Sequence, residues 1–138
     1  MPVVIGVCES HARAYTASLM EGLEQVPAPE LQRGDIVVVA QKVVSKAEGR
    51  VVSDEGQGRM AWVEREARRI VARRGDLVIA ETRHGFVCAN AGVDSSNIAP
   101  GFLTLLPEDP DGSAESIRKD LERSLGVSVG VVVTDTFG

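Results

Sequence analysis

The sequence has few cysteines, no long hydrophobic run and no secretory start, and each shortage excludes a class of protein. Its two cysteines, Cys8 and Cys88, show no CxxC spacing. Counting alone allows a disulfide, but two reduced thiols are the favoured interpretation. No apolar run approaches the roughly 20 residues that a membrane span needs. Residues 1–5 lack the basic and long apolar regions of a secretory signal, so we expect a cytoplasmic protein.

Aromatic residues are also scarce, and the charge balance is acidic. Acidic residues outnumber basic ones by 20 to 15, which gives a net charge of −5, and aromatic residues make up 4% of the chain. Nonspecific nucleic-acid binding needs a basic face, and single-strand binding adds stacking aromatics, so neither function is expected. A protein with this balance can bind an anion only through local cations or a bound metal ion.

The 138 residues alternate strand-like and helix-like segments within the size of one domain, 1–138. The patterns predict strands over 2–7, 36–40, 77–80, 86–89, 102–106 and 127–134, and helices over 12–25, 59–73 and 114–125. Residues 36–40 are apolar throughout, which predicts burial of both strand faces. Ser113 is expected to cap the last helix and Gly126 to end it. We expect an α+β fold with mixed sheets and three helices, rather than a doubly wound parallel sheet.

A first polar cluster, residues 41–50, follows the predicted strand 36–40. It contains Lys42, Lys46 and Arg50, together with a hydroxyl and a glycine. Ammonium groups at this position suit phosphoryl oxygens, although the GxxxxGK pattern of a Walker loop is absent. A solvated basic loop is the alternative that composition favours.

Two further clusters follow later strands. Residues 81–85 contain Arg83 and His84, and the polar loop 90–97 contains Asp94 and Asn97, whose oxygens suit a hard cation or a nucleotide. Ordinary turn formation by Asn, Gly, Asp and Ser is the alternative, as is a structural role for His84. Asp135 and Thr136 follow the predicted strand 127–134, and they offer a carboxylate and a hydroxyl typical of Mg²⁺ or Mn²⁺ sites. By contrast, Glu108, Asp109 and Asp111 are interpreted as turn and cap residues.

Four strings, in this order, resemble the gamma-glutamyl ligase family of coenzyme F-420 biosynthesis, over about residues 31–138. They are VVSKAEGR (43–50), ETRHGFVCANAGVDSSN (81–97), LLPEDPDGSAESIR (105–118) and VVVTDTFG (131–138). The resemblance implies a ligase that uses GTP and Mg²⁺ or Mn²⁺, with K⁺ as a stimulant in some members. It would add L-glutamate to a deazaflavin acceptor bearing a phospholactate, through an acyl phosphate. It also implies a homodimer.

Carried over residue by residue, the resemblance assigns a set of GTP-binding positions and a set of metal positions, and no catalytic side chain. The GTP-binding positions are Gln41, Lys42, Lys46 and Asn97, and the metal positions are Asp94, Asp135 and Thr136. Three further candidates, for the phosphate or carboxylates of the acceptor, come from the residue types rather than from the family: Arg50, Arg83 and His84.

Two departures from the family pattern bear on activity. Residues 6–13 do not match the acidic Gly-Asp-Asp segment usual there, and family members continue well past Gly138. The chain is therefore expected to be the front part of a ligase, active alone or with a second chain that supplies the rest. The alternative from another class is an inactive remnant that keeps only metal or nucleotide binding or self-association. A third hypothesis is a different nucleotide used for an unrelated transfer.

Overall fold

A computed structural model describes residues 4–7, 31–54 and 56–135. The predicted helix 12–25 and Cys8 lie outside these residues. The chain divides into two compact units, which are described separately. Unit 1 contains residues 1–48 and 107–135, and unit 2 contains residues 49–106 and 136–138.

Unit 1 is built on a parallel sheet of three strands in the order β1 (Val4–Val7), β2 (Ile36–Ala40) and β8 (Gly130–Thr134). Helix α1 (Gln41–Ala47) follows β2 without a break, and helix α3 (Pro110–Leu125) precedes β8. The predicted strand 127–134 is thus shorter than expected. Its first three residues stay outside the sheet, where Ser128 accepts a backbone hydrogen bond from Gly34.

The core of unit 1 lies between its sheet and its helices. Val37 and Val39 of β2 are fully buried, and they pack in one cluster with α1 and α3 residues such as Val43 and Leu121. The alternate β2 residues are half-buried or exposed. The prediction that both faces of this strand are buried was therefore wrong, since burial alternates along it as in a strand with one core face.

Helix α3 begins four residues earlier than the sequence pattern predicted. Asp109 is its N-cap, and the carboxylate accepts a hydrogen bond from the Gly112 backbone N–H at 2.9 Å. Pro110 then occupies the first helical turn, where its missing N–H costs nothing. The cap assigned to Ser113 was therefore wrong, whereas the cap role of Asp109 and the end at Gly126, in a left-handed conformation, are confirmed.

Unit 2 contains two antiparallel sheets and one α-helix within the described residues. The elements are β3 (Val51–Ser53), α2 (Gly58–Glu66), β4 (Ala67–Arg74), β5 (Leu77–Thr82), β6 (Val87–Ala89), a 3-10 turn (Asn90–Gly92) and β7 (Phe102–Thr104). One sheet pairs β3 with β7, and the other has the order β4-β5-β6.

The helix predicted over 59–73 is a helix followed by a strand. Helix α2 ends at Glu66, and β4 runs from Ala67 to Arg74, antiparallel to β5. Backbone hydrogen bonding along β5 replaces the helical ladder, and it overrides the helix preference of this arginine-rich segment. The predicted strands 77–80, 86–89 and 102–106 exist with small changes of length.

The core of unit 2 is a second cluster of buried aliphatic side chains, which includes Val63, Val78, Ala80, Leu103 and Leu105. Across both units the described residues form three α-helices with parallel and antiparallel sheets, which confirms the α+β expectation. None of the helices in the described ranges combines the length and the apolarity that crossing a lipid bilayer requires.

Candidate functional site

In unit 1, the proposed nucleotide and metal positions share one edge of the parallel sheet. Ala40 of β2 and Thr134 of β8 are register partners at the ends of their strands. Gln41 and Asp135 therefore follow adjacent strand ends at the carboxyl edge of the sheet. Ligand sites of open parallel sheets lie characteristically at this edge.

The first polar cluster is helical rather than a loop, since residues 41–47 form α1. The alternative of a solvated basic loop was therefore wrong for residues 41–47, whereas phosphate binding by the ammonium groups stays a prediction. The helix forms because Val43 and Val44 pack in the core of unit 1. Glu48, Gly49 and Arg50 follow the helix.

The helical backbone gives the polar side chains of α1 a defined arrangement. Lys42 and Lys46 are four residues apart, so they lie on the same helix face, and both are half-buried. Gln41 and Ser45 share the other polar row, and the Gln41 side-chain amide donates a hydrogen bond to the Ser45 hydroxyl. The helix thus presents two ammonium groups on one face.

In unit 2, Asp94 and Asn97 lie in one loop that is fixed to β7. The Asp94 backbone exchanges two hydrogen bonds with Thr104, at 3.0 and 2.8 Å. The Asp94 carboxylate accepts hydrogen bonds from the Ser96 backbone N–H at 2.9 Å and from the Ser96 hydroxyl at 2.6 Å. These bonds orient the carboxylate, as hydrogen-bond donors around metal-ligating carboxylates do.

The turn before Asp94 has an unusual backbone. Asn90, Ala91 and Gly92 have φ values of 51°, 53° and 75°, and Asn97 has a φ of 54°. Non-glycine residues in the left-handed region cost free energy, and they persist where the surrounding structure enforces them. Here Ala91 is buried in the core of unit 2, and the Asn90 side-chain oxygen accepts a hydrogen bond from the Val78 N–H.

The two arginines proposed for the acceptor meet at one carboxylate. Glu66 accepts hydrogen bonds from Arg83 Nη2 at 2.7 Å to each of its oxygens and from Arg50 Nη2 at 3.0 Å. Arg50 Nε also donates to the Leu106 carbonyl at 2.9 Å. His84 follows Arg83 at the tip of the β5–β6 hairpin, with its ring 6.3 Å from that of Phe86.

The structure thus groups the predicted residues by unit. Gln41, Lys42, Lys46 and Asp135 belong to unit 1, whereas Asp94, Asn97, Arg50, Arg83 and His84 belong to unit 2. Thr136 lies outside the described residues. Within the described ranges, no three His, Cys, Asp or Glu side chains group as a metal-ligand set. The assignment of Asp94, Asp135 and Thr136 as metal positions stays a prediction.

Two polar residues of these clusters escaped the sequence analysis. Ser45 is fully buried beside Gln41, and Glu66 is buried between two arginines. The spacing of four between Gln41 and Ser45 would have indicated their contact if α1 had been predicted. For Glu66, the available signal was an acid among the apolar positions Val63, Ala67 and Ile70.

Two pKa values that depart from the ordinary ones belong to residues of helix α3. The hydrogen bond from Arg118 is the largest cause that lowers the pKa of Glu115 to about 2, and the same contact raises the pKa of Arg118. Both groups are at the surface, and Arg118 also pairs with Glu122. This network is the ordinary pairing of an exposed helix face.

Comparison with known proteins identifies the family. The family model described as F420-0:Gamma-glutamyl ligase matches residues 12–138. A coenzyme F420:L-glutamate ligase of Methanopyrus kandleri is 44% identical over 126 residues, which cover 79% of this chain and 50% of that protein. One of Methanothermobacter thermautotrophicus is 39% identical over 155 aligned positions, which cover 100% of this chain and 59% of that protein.

A third relative, the coenzyme F420:L-glutamate ligase of Methanocaldococcus jannaschii, is 38% identical over 143 positions, which cover 87% of this chain and 57% of that protein. This chain therefore spans between half and three fifths of the length of the curated relatives it matches. The resemblance to the N-terminal portion of these ligases is confirmed. The chain belongs to the F420-0:gamma-glutamyl ligase family.

Proposed function

We propose that this chain is the nucleotide-handling part of a ligase that joins L-glutamate to the deazaflavin phospholactate precursor of coenzyme F-420. The observation that carries the proposal is the shared helix face of Lys42 and Lys46, beside the sheet edge that Asp135 follows. Family membership supplies the class of reaction. The energy source is GTP, and the expected setting is a cytoplasmic homodimer, alone or with a second chain.

The reaction transfers the γ-phosphoryl group of GTP to the terminal carboxylate of the acceptor. The resulting acyl phosphate is attacked by the amine of glutamate, an amide bond forms, and inorganic phosphate leaves. Because GTP and the acceptor are both anions and the chain carries a net charge of −5, local cations must offset their repulsion. The ammonium groups of Lys42 and Lys46 offset the negative charge of the triphosphate. Gln41 and Asn97 are further nucleotide contacts.

Asp94 and Asp135, with Thr136, are the residues proposed to hold Mg²⁺ or Mn²⁺. The donor chemistry fits, because each offers the oxygen ligands that hard cations prefer. The two hydrogen bonds from Ser96 already hold the Asp94 carboxylate in one orientation. When bound, the metal supplies positive charge next to the phosphoryl group that is transferred. K⁺ is expected to stimulate the reaction.

On the acceptor side, Arg50, Arg83 and His84 are proposed to bind anionic groups. All three belong to unit 2, whose segment 49–106 has eight arginines against seven acids, whereas the whole chain is acidic. A segment with this balance can hold a phospholactate without a large repulsive field.

The test is a ligation assay with GTP, Mn²⁺, glutamate and the deazaflavin acceptor. It is run with the chain alone and with the remaining part of a related ligase added as a second chain. Release of GDP with a product heavier by one glutamyl unit is expected in at least one of the two. GTP binding without a product in either would overturn the ligase and leave the inactive remnant.

The choice of nucleotide needs a separate comparison. Thermal shifts are measured with GTP, with ATP and without nucleotide, each in the presence of Mn²⁺. A larger shift with GTP is expected. Equal shifts with GTP and ATP would contradict the guanine preference and favour the third hypothesis, a different nucleotide.

A further inference from the structure

The parallel sheet of unit 1 buries one of its two faces. Val37 and Val39 of β2 lie in the core cluster with side chains of α1 and α3, and their register partners in β8, Val131 and Val133, pack against that cluster. The helices α1 and α3 therefore occupy the same face of the sheet. Because side chains alternate along a strand, the residues between these valines belong to the opposite face.

That opposite face, the open face, is defined by Ile36, Val38 and Val132. Ile36 is 37% exposed, Val132 is 47% exposed and Val38 is half-buried. Val38 and Val132 are register partners, and Ile36 Cγ1 lies 3.7 Å from the position that a Cβ would take on Gly130, the register partner of Ile36. None of these four residues carries a charge, so the open face is an apolar surface that spans two adjacent strands.

The topology of the sheet accounts for the open face. Strands β1, β2 and β8 are parallel and follow one another across the sheet in one direction. Connections between parallel strands are right-handed, and right-handed connections that step in the same direction fall on the same face. That face is the one on which α3 packs. Parallel sheets are characteristically covered on both faces, so the open face requires a cover from another source.

The curated relatives contain a segment that can supply this cover. The aligned regions make up 50–59% of their length, which leaves between two fifths and half of each protein outside the match. Since the match is to their N-terminal portion, the additional length follows the position of Gly138. Gly138 is six residues beyond Val132, and six extended residues span at most about 22 Å. A segment that starts there begins close to the open face.

We propose that the open face of unit 1 is a docking surface for the C-terminal portion of a ligase of this family, whose apolar side chains cover Ile36, Val38 and Val132. Removal of this apolar area from water drives the association. The proposal rests on the proposed function for its partner, because that function includes a second chain that supplies the rest of the ligase. It adds the surface on which that chain binds.

Thiol labelling measures whether the open face is covered. The chain carrying Val132→Cys is prepared alone and co-expressed with the C-terminal half of the Methanopyrus kandleri ligase, the part outside the match. Alkylation is quantified by mass spectrometry of the peptide that contains position 132, which separates it from Cys8 and Cys88. We expect labelling to be about tenfold or more slower in the complex. The matched control is Leu125→Cys, at an apolar residue of α3 that is 48% exposed, and its labelling rate should stay the same.

Substitutions test the apolar character of the surface. Val132→Lys places a charge at a position that is already half exposed, and it should weaken the complex about tenfold or more. Val132→Thr keeps the β-branched shape that suits a strand and adds one hydroxyl, so a loss of about threefold is expected. Leu125→Lys should leave the affinity unchanged. Analytical ultracentrifugation of the diluted complex gives the dissociation constant, and circular dichroism verifies that each variant is folded.

Each outcome bears on the proposal. Unchanged labelling at position 132, equal slowing at positions 125 and 132, or no complex at all would overturn it. Slow labelling of the chain alone would also overturn it, and a dependence on protein concentration would then assign the face to a second copy rather than to another part of the same chain. A covered face without ligation in the separate assay would refute the proposed function and leave the docking surface standing. Ligation with an uncovered face would do the reverse.

Discussion

At the scale of single residues, Lys46 is the most direct test of nucleotide binding. Lys46→Ala removes one of two ammonium groups from the shared face of α1, so GTP affinity should fall by about 1–3 kcal/mol, as for a lost charged hydrogen bond. Calorimetric titration with GTP measures the change. The control is Lys119→Ala, which removes an exposed lysine of the same unit, paired with Glu115. Equal affinity in Lys46→Ala and the parent chain would remove Lys46 from the GTP-binding positions.

Asp135 provides the corresponding test for the metal. It is exposed and directly follows β8, so Asp135→Ala should change folding little while weakening Mn²⁺ binding about tenfold or more. A Mn²⁺ titration followed by electron paramagnetic resonance gives the affinity. Asp120→Ala, at another acid of unit 1, serves as the control. If the Mn²⁺ affinity of Asp135→Ala matched that of the parent chain, Asp135 would not be a ligand.

Replacing Gly92 should destabilise the fold, because its backbone is left-handed and a side chain there has no room. Its φ is 75°, and an added Cβ would lie 2.5–2.8 Å from three atoms of the Leu106 side chain. Gly92→Ala should therefore cost about 2–4 kcal/mol, from the left-handed strain and the overpacking together. Gly75→Ala, where φ is 58° and the Cβ meets open space, should cost about 1 kcal/mol. Urea unfolding followed by Trp62 fluorescence compares the free energies of unfolding of the two variants. Equal losses of stability would show that the Leu106 side chain moves aside at little cost.

At the scale of elements, strand β4 shows how a helical pattern can belong to a strand. Two register shifts interrupt its pairing with β5, between Ala67 and Arg69 and between Ile70 and Ala72. Each shift adds one residue, so residues three apart come to face the same side. Ala67 and Ile70 accordingly both pack on the core of unit 2. From the sequence, the spacing of three between Ala67 and Ile70 was interpreted as one helix turn. In the structure, a bulge in a strand produces it.

Helix α3 carries the pH-dependent prediction. The pKa of Glu115 is lowered from 4.5 to about 2, first by its hydrogen bond from Arg118. A lowered pKa in the folded state means that the stabilising contribution is complete above about pH 4.5 and is lost as pH falls toward about 2. A ¹³C titration of the Glu115 carboxyl should have its midpoint near 2.

The origin of that shift is tested by comparing its partners. Arg118→Gln should return the Glu115 midpoint most of the way to the ordinary value, because it removes the largest contribution. Lys119→Gln should move the midpoint less, since the hydrogen bond from Lys119 lowers the pKa of Glu115 less than that from Arg118 does. A larger effect from Lys119→Gln would reverse this order.

At the scale of the whole molecule, unit 2 is held together by an ionic contact in addition to its apolar core. Glu66 links the end of α2 to the residue before β3 and to the β5–β6 hairpin. Glu66→Gln leaves two nearby arginines without their shared counter-charge and should destabilise unit 2 by about 2–4 kcal/mol. Glu64→Gln breaks an exposed pair and should cost less than about 1 kcal/mol.

Trp62 makes this difference measurable for one unit. It is the single tryptophan of the chain, it lies on α2, and it packs against the core of unit 2 while its indole N–H donates to the Ser53 carbonyl. Its fluorescence during urea unfolding therefore reports on unit 2. Equal losses of stability in Glu66→Gln and Glu64→Gln would show that the cluster contributes no more than a surface pair.

How far the sequence could predict this protein differed from one segment to another. Strand 36–40 was predicted to the residue, because five consecutive apolar residues end at a polar cluster. Helix 41–47 was not predicted, because its local sequence is mostly polar. Its two valines become buried only when they pack in the core of unit 1, and this packing stabilises the helix. For Glu66, the neighbouring apolar positions indicate a buried face, but no local pattern shows that two distant arginines pair with this acid.

The amino-acid sequence alone determined the family, the α+β class, the charge balance and the residue types offered to phosphate and metal, since these depend on composition, order and short-range spacing. The tertiary structure decided what packing and strand pairing govern. It made α1 a helix, so that Lys42 and Lys46 share a face. It turned residues 67–74 into a bulged strand, and it brought Arg50 and Arg83, far apart in the chain, to one buried carboxylate. Long-range contacts repay the cost of ordering a segment only in the folded chain, so local preference cannot reveal them.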